Sequence, residues 1–106
     1  MAGTIFVSKD VRVSVSTNQF DYFTERVRSG FSDSEKVFMG QIYSPMDDGG
    51  MMFISAESQD IEGFNIFLKA VQKARKKSAS EKNYSVYQVL WDELESKILS
   101  DPRGTL

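Results

Sequence analysis

The amino-acid sequence predicts an α+β domain. We expect an antiparallel sheet from two hairpins, in the order β-β-α-β-β-α-α, with the helices packed on one face. Three observations predict it. Val11, Val13 and Val15 alternate with Arg12, Ser14 and Ser16, the pattern of a half-buried strand. From Asp60 to Lys77, Ile61, Phe64, Phe67, Leu68, Val71 and Ala74 share one arc of a helix, while Glu62, Asn65, Lys69, Gln72, Lys73 and Lys76 fall opposite. Ser44-Pro45-Met46-Asp47-Asp48-Gly49-Gly50 carries the densest turn chemistry in the chain. With 106 residues there is room for one modest core, so residues 1–106 are expected to form a single globular domain.

Taken in order, residues 3–16 read as the first hairpin. Ile5 and Val7 alternate with Phe6 and Ser8, and Ser8-Lys9-Asp10 makes the turn. Thr17-Asn18 offers N-caps for a helix from about Asn18 to Ser29, with Phe20, Phe23 and Val27 on one face and Gly30 placed as C-cap. Ser32 to Glu35 is a polar loop. KVFMGQIY, residues 36–43, reads as a strand, with Gly40 marking a bulge or a close backbone approach. Met51 to Ala56 is the returning strand of the second hairpin. Both strands are apolar on both faces, which places them near the sheet centre.

Ser58 or Asp60 caps the long helix, and Glu62 suits its first turn as Lys73, Arg75, Lys76 and Lys77 suit its last. After a polar linker, a final helix runs from Tyr84 or Ser85 to Ser100. Its apolar face is Tyr84, Tyr87, Leu90, Trp91, Leu94 and Ile98. Asp101-Pro102 stops it, and Arg103 to Leu106 reads as a frayed tail.

The composition excludes much chemistry. There is no cysteine, hence no disulfide or thiolate site, and no histidine, which removes the commonest general base and metal ligand. The single Gly-Gly has no Lys-Ser/Thr after it, so no phosphate loop forms, and Asp47-Asp48 lacks the alternating acids of a calcium loop. Asp92, Glu93 and Glu95 read as the solvated side of the last helix. We therefore expect no catalytic constellation, no cofactor and no metal. No apolar run approaches the roughly 20 residues of a membrane span. MAGTIFVSKD lacks the form of a signal peptide, so a cytoplasmic location is expected.

Charge is unevenly placed. From Lys69 to Lys82, Lys69, Lys73, Arg75, Lys76, Lys77 and Lys82 face a single acid, Glu81. This is the candidate nucleic-acid surface, although a net charge of −2 argues against nucleic acid as the main partner. Between Lys36 and Lys69 there is no Lys or Arg, and the interval holds Asp47, Asp48, Glu57, Asp60 and Glu62 beside Met46 and Met51. Acids steer a basic partner and methionines adapt to its shape, so these seven residues are the candidate partner-binding set.

A short, cysteine-free α+β chain with acid-rich segments and no catalytic constellation resembles the small immunity proteins of bacterial contact-dependent inhibition and related polymorphic-toxin systems. The resemblance is one of type and maps no family residue onto a position. It implies a cytoplasmic, non-enzymatic protein that blocks the active site or substrate surface of a cognate toxin domain, often a nuclease. A phage-encoded inhibitor of a host nuclease would share the same physics.

Overall fold

Strand β1 (Ala2–Phe6) turns back into β2 (Arg12–Ser16), which leads directly into helix α1 (Thr17–Arg28). A 3-10 turn (Asp33–Glu35) opens α2 (Lys36–Asp47), followed by β3 (Phe53–Ser55), α3 (Ile61–Ser78) and α4 (Tyr84–Leu99). The computed structural model describes residues 2–104. The sheet order is β2-β1-β3, with β1 antiparallel to β2 and parallel to β3.

The first hairpin forms as its alternation predicts. Ile5 pairs with Val13 on one side and Ile54 on the other, and all three are buried. Arg12, Ser14 and Ser16 are exposed, so one face of the sheet meets the helices and the other faces outward. Gly3 sits on the covered face under α1, where an added Cβ would lie 2.5 Å from the Phe20 ring. The core joins Phe20, Phe23, Tyr43, Phe64, Phe67, Trp91 and Ile98 from all four helices to the strand residues. Tyr22 stacks on Tyr87 at 3.6 Å between ring centroids.

The second hairpin does not form: residues 36–47 are helical, so the sheet is mixed rather than antiparallel. Phe, Ile, Tyr and Val suggest a strand by type, but their spacing is helical. Ile42 and Tyr43 are buried, while Phe38, Met39 and Met46 are half-buried on adjacent turns. Ser32-Asp33-Ser34-Glu35 starts the segment as a capping box, the Ser32 N–H donating to Glu35 Oε1 at 2.9 Å. Gly40 marks no bulge; it lies in mid-helix with nothing near its Cβ position. Pro45, Met46 and Asp47 lie in the last turn of α2, Asp48 is its C-cap and Gly49-Gly50 follow it; Gly50 alone takes positive φ, at 64°, among the described residues. β3 is an edge strand, and β1 holds the centre.

Smaller corrections have local causes. Ser16, not Thr17 or Asn18, caps α1: its Oγ accepts from the Gln19 N–H at 3.2 Å and its own N–H donates to Gln19 Oε1 at 2.8 Å. Ser29 is the C-cap, and Gly30 serves close packing, since a Cβ there would lie 2.3 Å from the Ala70 carbonyl oxygen of α3. Ile61 is 60% exposed because it occupies the first turn of α3, before the helix meets the core. Arg103 does not belong to a frayed tail. Its guanidinium donates to the carbonyls of Val7, Ala56 and Gln59 at 2.7–3.1 Å and to Asp101. Thr105 and Leu106 lie outside the described residues.

Candidate partner-binding surface

β1 and β3 share a short parallel ladder. The Thr4 N–H donates to the Met52 carbonyl at 3.0 Å and the Ala56 N–H to the Phe6 carbonyl at 2.9 Å. In a parallel pair alternate residues face the neighbour, so Ile54 turns its backbone to β1 while Phe53 and Ser55 turn theirs away. α2 packs along this side of the sheet. Between them lies a groove of about 500 Å³, lined by Gln41, Ser44 and Pro45 of α2, Phe53 and Ser55 of β3, and Ser58 and Gln59 beyond it. Gln59 Nε2 donates to Gln41 Oε1 at 3.0 Å and joins the two walls. Pro45 has no N–H to give the Gln41 carbonyl one turn earlier. Among the described residues, no charged side chain lines the groove.

The acids stand at its two ends. α2 has 12 residues and so spans about 18 Å. At its C-terminal end lie Met46, Asp47, Asp48 and Met51. Asp47 is taken by Arg28 in a two-pronged ion pair at 2.8 and 3.0 Å, and this bond holds its carboxyl below the usual range. Arg28 also covers the Tyr43 ring at 4.3 Å, and burial pushes the Tyr43 hydroxyl upward while it donates to the Thr24 carbonyl. Asp48 is the exposed C-cap of α2. Met46 is half-buried and lines a second depression with Asp21, Thr24, Glu25 and Arg28; Met51 is 53% exposed. At the other end, Glu57 and Glu62 are exposed, and Asp60 caps α3 by accepting the Gly63 N–H at 2.9 Å. Asp48, Glu57 and Glu62 have no ion-pair partner among the described residues.

The basic set is divided. Lys69, Lys73, Lys76 and Lys77 make an exposed stripe on α3, and Lys82 is exposed in the following loop. Arg75 faces α4 instead, where it bonds Asp92, Glu95 and the Tyr84 hydroxyl. Glu93 pairs with Lys97 at 2.9 Å. The three carboxylates of α4 are thus ion-pair partners, two of them sharing one arginine.

The groove residues Gln41, Ser44, Pro45, Phe53, Ser55, Ser58 and Gln59 are the part of this surface that the sequence hides. Reading residues 36–43 as a strand puts Gln41 and Ser44 in a hairpin rather than on a helix beside β3. The Ser32–Glu35 capping box is the signal that corrects it.

No family model matches the sequence. The immunity protein CdiI of Burkholderia pseudomallei is 44% identical over 103 residues, which cover 97% of this chain and 94% of the relative. Among solved structures, the chain superposes with a TM-score of 0.94 and 43% identity on one described as the CdiA-CT toxin from Burkholderia pseudomallei E479 in complex with cognate CdiI immunity protein. That match covers 96% of this chain and 98% of the other. Identity of this order over nearly the whole length of both sequences makes this chain a member of the CdiI immunity proteins.

Proposed function

We propose that this chain neutralises one cognate contact-dependent inhibition toxin by binding its toxin domain, with no catalysis of its own. The observation that carries this reading is its 44% identity to CdiI, with a solved relative in complex with a cognate CdiA-CT toxin. The charge distribution supports a basic partner. Asp48, Glu57 and Glu62 are exposed and have no ion-pair partner among the described residues, and no Lys or Arg falls between Lys36 and Lys69. A nuclease must present positive charge to phosphates, so we take the partner to be a nuclease domain whose active site or substrate surface is covered. The chain then acts in the cytoplasm, where such a domain meets its nucleic acid.

The test is to express the toxin domain encoded beside this chain, alone and together with it. Growth arrest by the toxin alone, rescue by co-expression and an equimolar complex on gel filtration are expected. No rescue and no complex would sink the proposal. Rescue from a toxin that leaves RNA and DNA intact would retain neutralisation and remove the nuclease.

A further inference from the structure

The outer face of α4 is not an ordinary solvent face. Trp91, Leu94 and Ile98 are buried on the inner side of the helix. On the outer side Val86 and Val89 are 70% and 73% exposed. Lying three residues apart, they are neighbours on one face, and half-buried Leu90 stands one turn beyond Val86. Valine is a weaker helix former than the straight-chain polar residues, and at these two positions it buries little in return. One exposed valine needs no account, but two together beside a leucine make an apolar patch.

Opposite charges stand at the two ends of this patch. Lys82 lies four residues before Val86, and Glu93 four residues after Val89. The order Lys82, Val86, Val89, Glu93 thus has the four-three-four spacing of a seam between two helices. Lys82 is exposed in the turn before α4 and has no ion-pair partner among the described residues. Glu93 accepts from Lys97 of its own helix through Oε2 at 2.9 Å, an exposed pair of the weak kind. The next charges along the chain are engaged elsewhere, Glu81 by Arg26 and Asp92 by Arg75.

This pattern is complementary to itself. When two α4 helices meet antiparallel about a two-fold axis placed midway between Val86 and Val89, Val86 of one copy faces Val89 of the other, and Lys82 faces Glu93. Each contact is made twice. A parallel pairing would instead set Lys82 against Lys82 and Glu93 against Glu93. We propose that the chain forms a reversible two-fold dimer through α4, with the valines at its centre and a Lys82–Glu93 pair closing each end. The seam is short and falls below the roughly 1,200 Å² of a standard interface, so the dimer belongs to high protein concentration. It stands apart from the toxin-binding reading: α4 packs on the β2 side of the sheet, and the α2 groove lies on the β3 side.

The experiment is sedimentation velocity on the intact chain over a concentration series at low salt. The sedimentation coefficient is expected to climb from the monomer to the dimer value as concentration rises. Val89→Glu brings a carboxylate to each valine contact and should raise the dimer Kd about tenfold or more. Lys82→Glu and Glu93→Lys each turn two attractions into two repulsions and should raise it about five- to tenfold, whereas the double variant returns to within about threefold of the wild type. All these positions are exposed, so the variants keep the fold, with the melting temperature as control. A chain that stays monomeric at every concentration would overturn the proposal, as would a dimer indifferent to Val89→Glu. Single reversals that the double variant does not rescue would overturn the antiparallel seam. A monomeric chain whose toxin complex is weakened by Val89→Glu would give the patch to the toxin and likewise overturn the dimer.

Discussion

Arg103 holds several parts of the molecule together through one side chain. Its guanidinium joins the end of β1, through Val7, to the segment after β3, through Ala56 and Gln59, and it lies 4.1 Å over the Phe64 ring. Asp101 orients it by accepting two of its hydrogen bonds. Arg103→Gln is expected to lower unfolding free energy by roughly 2–3 kcal/mol, since it strands carbonyls that a charged donor now satisfies. Urea unfolding measures this, and a loss below about 0.5 kcal/mol would return the residue to the rank of ordinary surface positions. Asp101 gives a pH test of the same contact. The hydrogen bond from Arg103 lowers its carboxyl pKa in the folded chain. The unfolded carboxyl titrates near 3.9, so on acidification the unfolded chain takes up the proton first. The contribution is therefore complete above that pH and is lost as pH falls through the folded value. The stability gap between the wild type and Asp101→Asn should be widest near neutrality and narrow in acid. A gap independent of pH would refute the ionic account. The carbonyl contacts were not legible in Asp101-Pro102-Arg103, because those partners lie 44 to 96 residues away and leave no local pattern.

The helices α3 and α4 and the first hairpin were legible because each owes its form to a period within its own residues. α2 was misread because residue type and spacing disagree there: Val37, Phe38, Ile42 and Tyr43 favour strands by type, while the burial of Ile42 and Tyr43 between half-buried Phe38, Met39 and Met46 follows a helix. β3 could not be placed once its supposed hairpin partner was wrong, since its true neighbour, β1, is distant in sequence. Two glycines report on the helices directly. Gly40 is exposed in mid-helix, so Gly40→Ala should stabilise the chain by about 0.5–1 kcal/mol. Gly30→Ala should destabilise it by about 1–3 kcal/mol, because the methyl meets the Ala70 backbone of α3 rather than a yielding side chain. Opposite signs in thermal unfolding are the expected result. A destabilising Gly40→Ala would contradict the helix.

Over the whole molecule, charge and topology divide the work. Asp48 and Glu57 are exposed and have no ion-pair partner among the described residues, whereas Glu62 shares its face of α3 with Lys69, Lys73 and Lys76. Asp48→Lys combined with Glu57→Lys reverses charge at both ends without breaking an internal ion pair. Toxin affinity should fall about 10- to 100-fold, chiefly through slower association, and the difference should shrink in high salt. Surface plasmon resonance across a salt series checks this, with the melting temperature as control. Unchanged affinity would clear the acids of any part in binding. The run of acids without a Lys or Arg between Lys36 and Lys69 was readable as a charge asymmetry, but the groove beside α2 was not, because it exists only after β3 has crossed to β1. That crossing also governs how the chain must fold. β1 gains its antiparallel neighbour from residues 12–16 at once, yet waits for residues 53–55 to close its other side. Closing so long a loop costs entropy before the ladder can repay it, so parallel docking of β3 is the natural late step of folding. The groove beside α2 is then assembled last, and a chain halted before that step keeps a hairpin but has no groove.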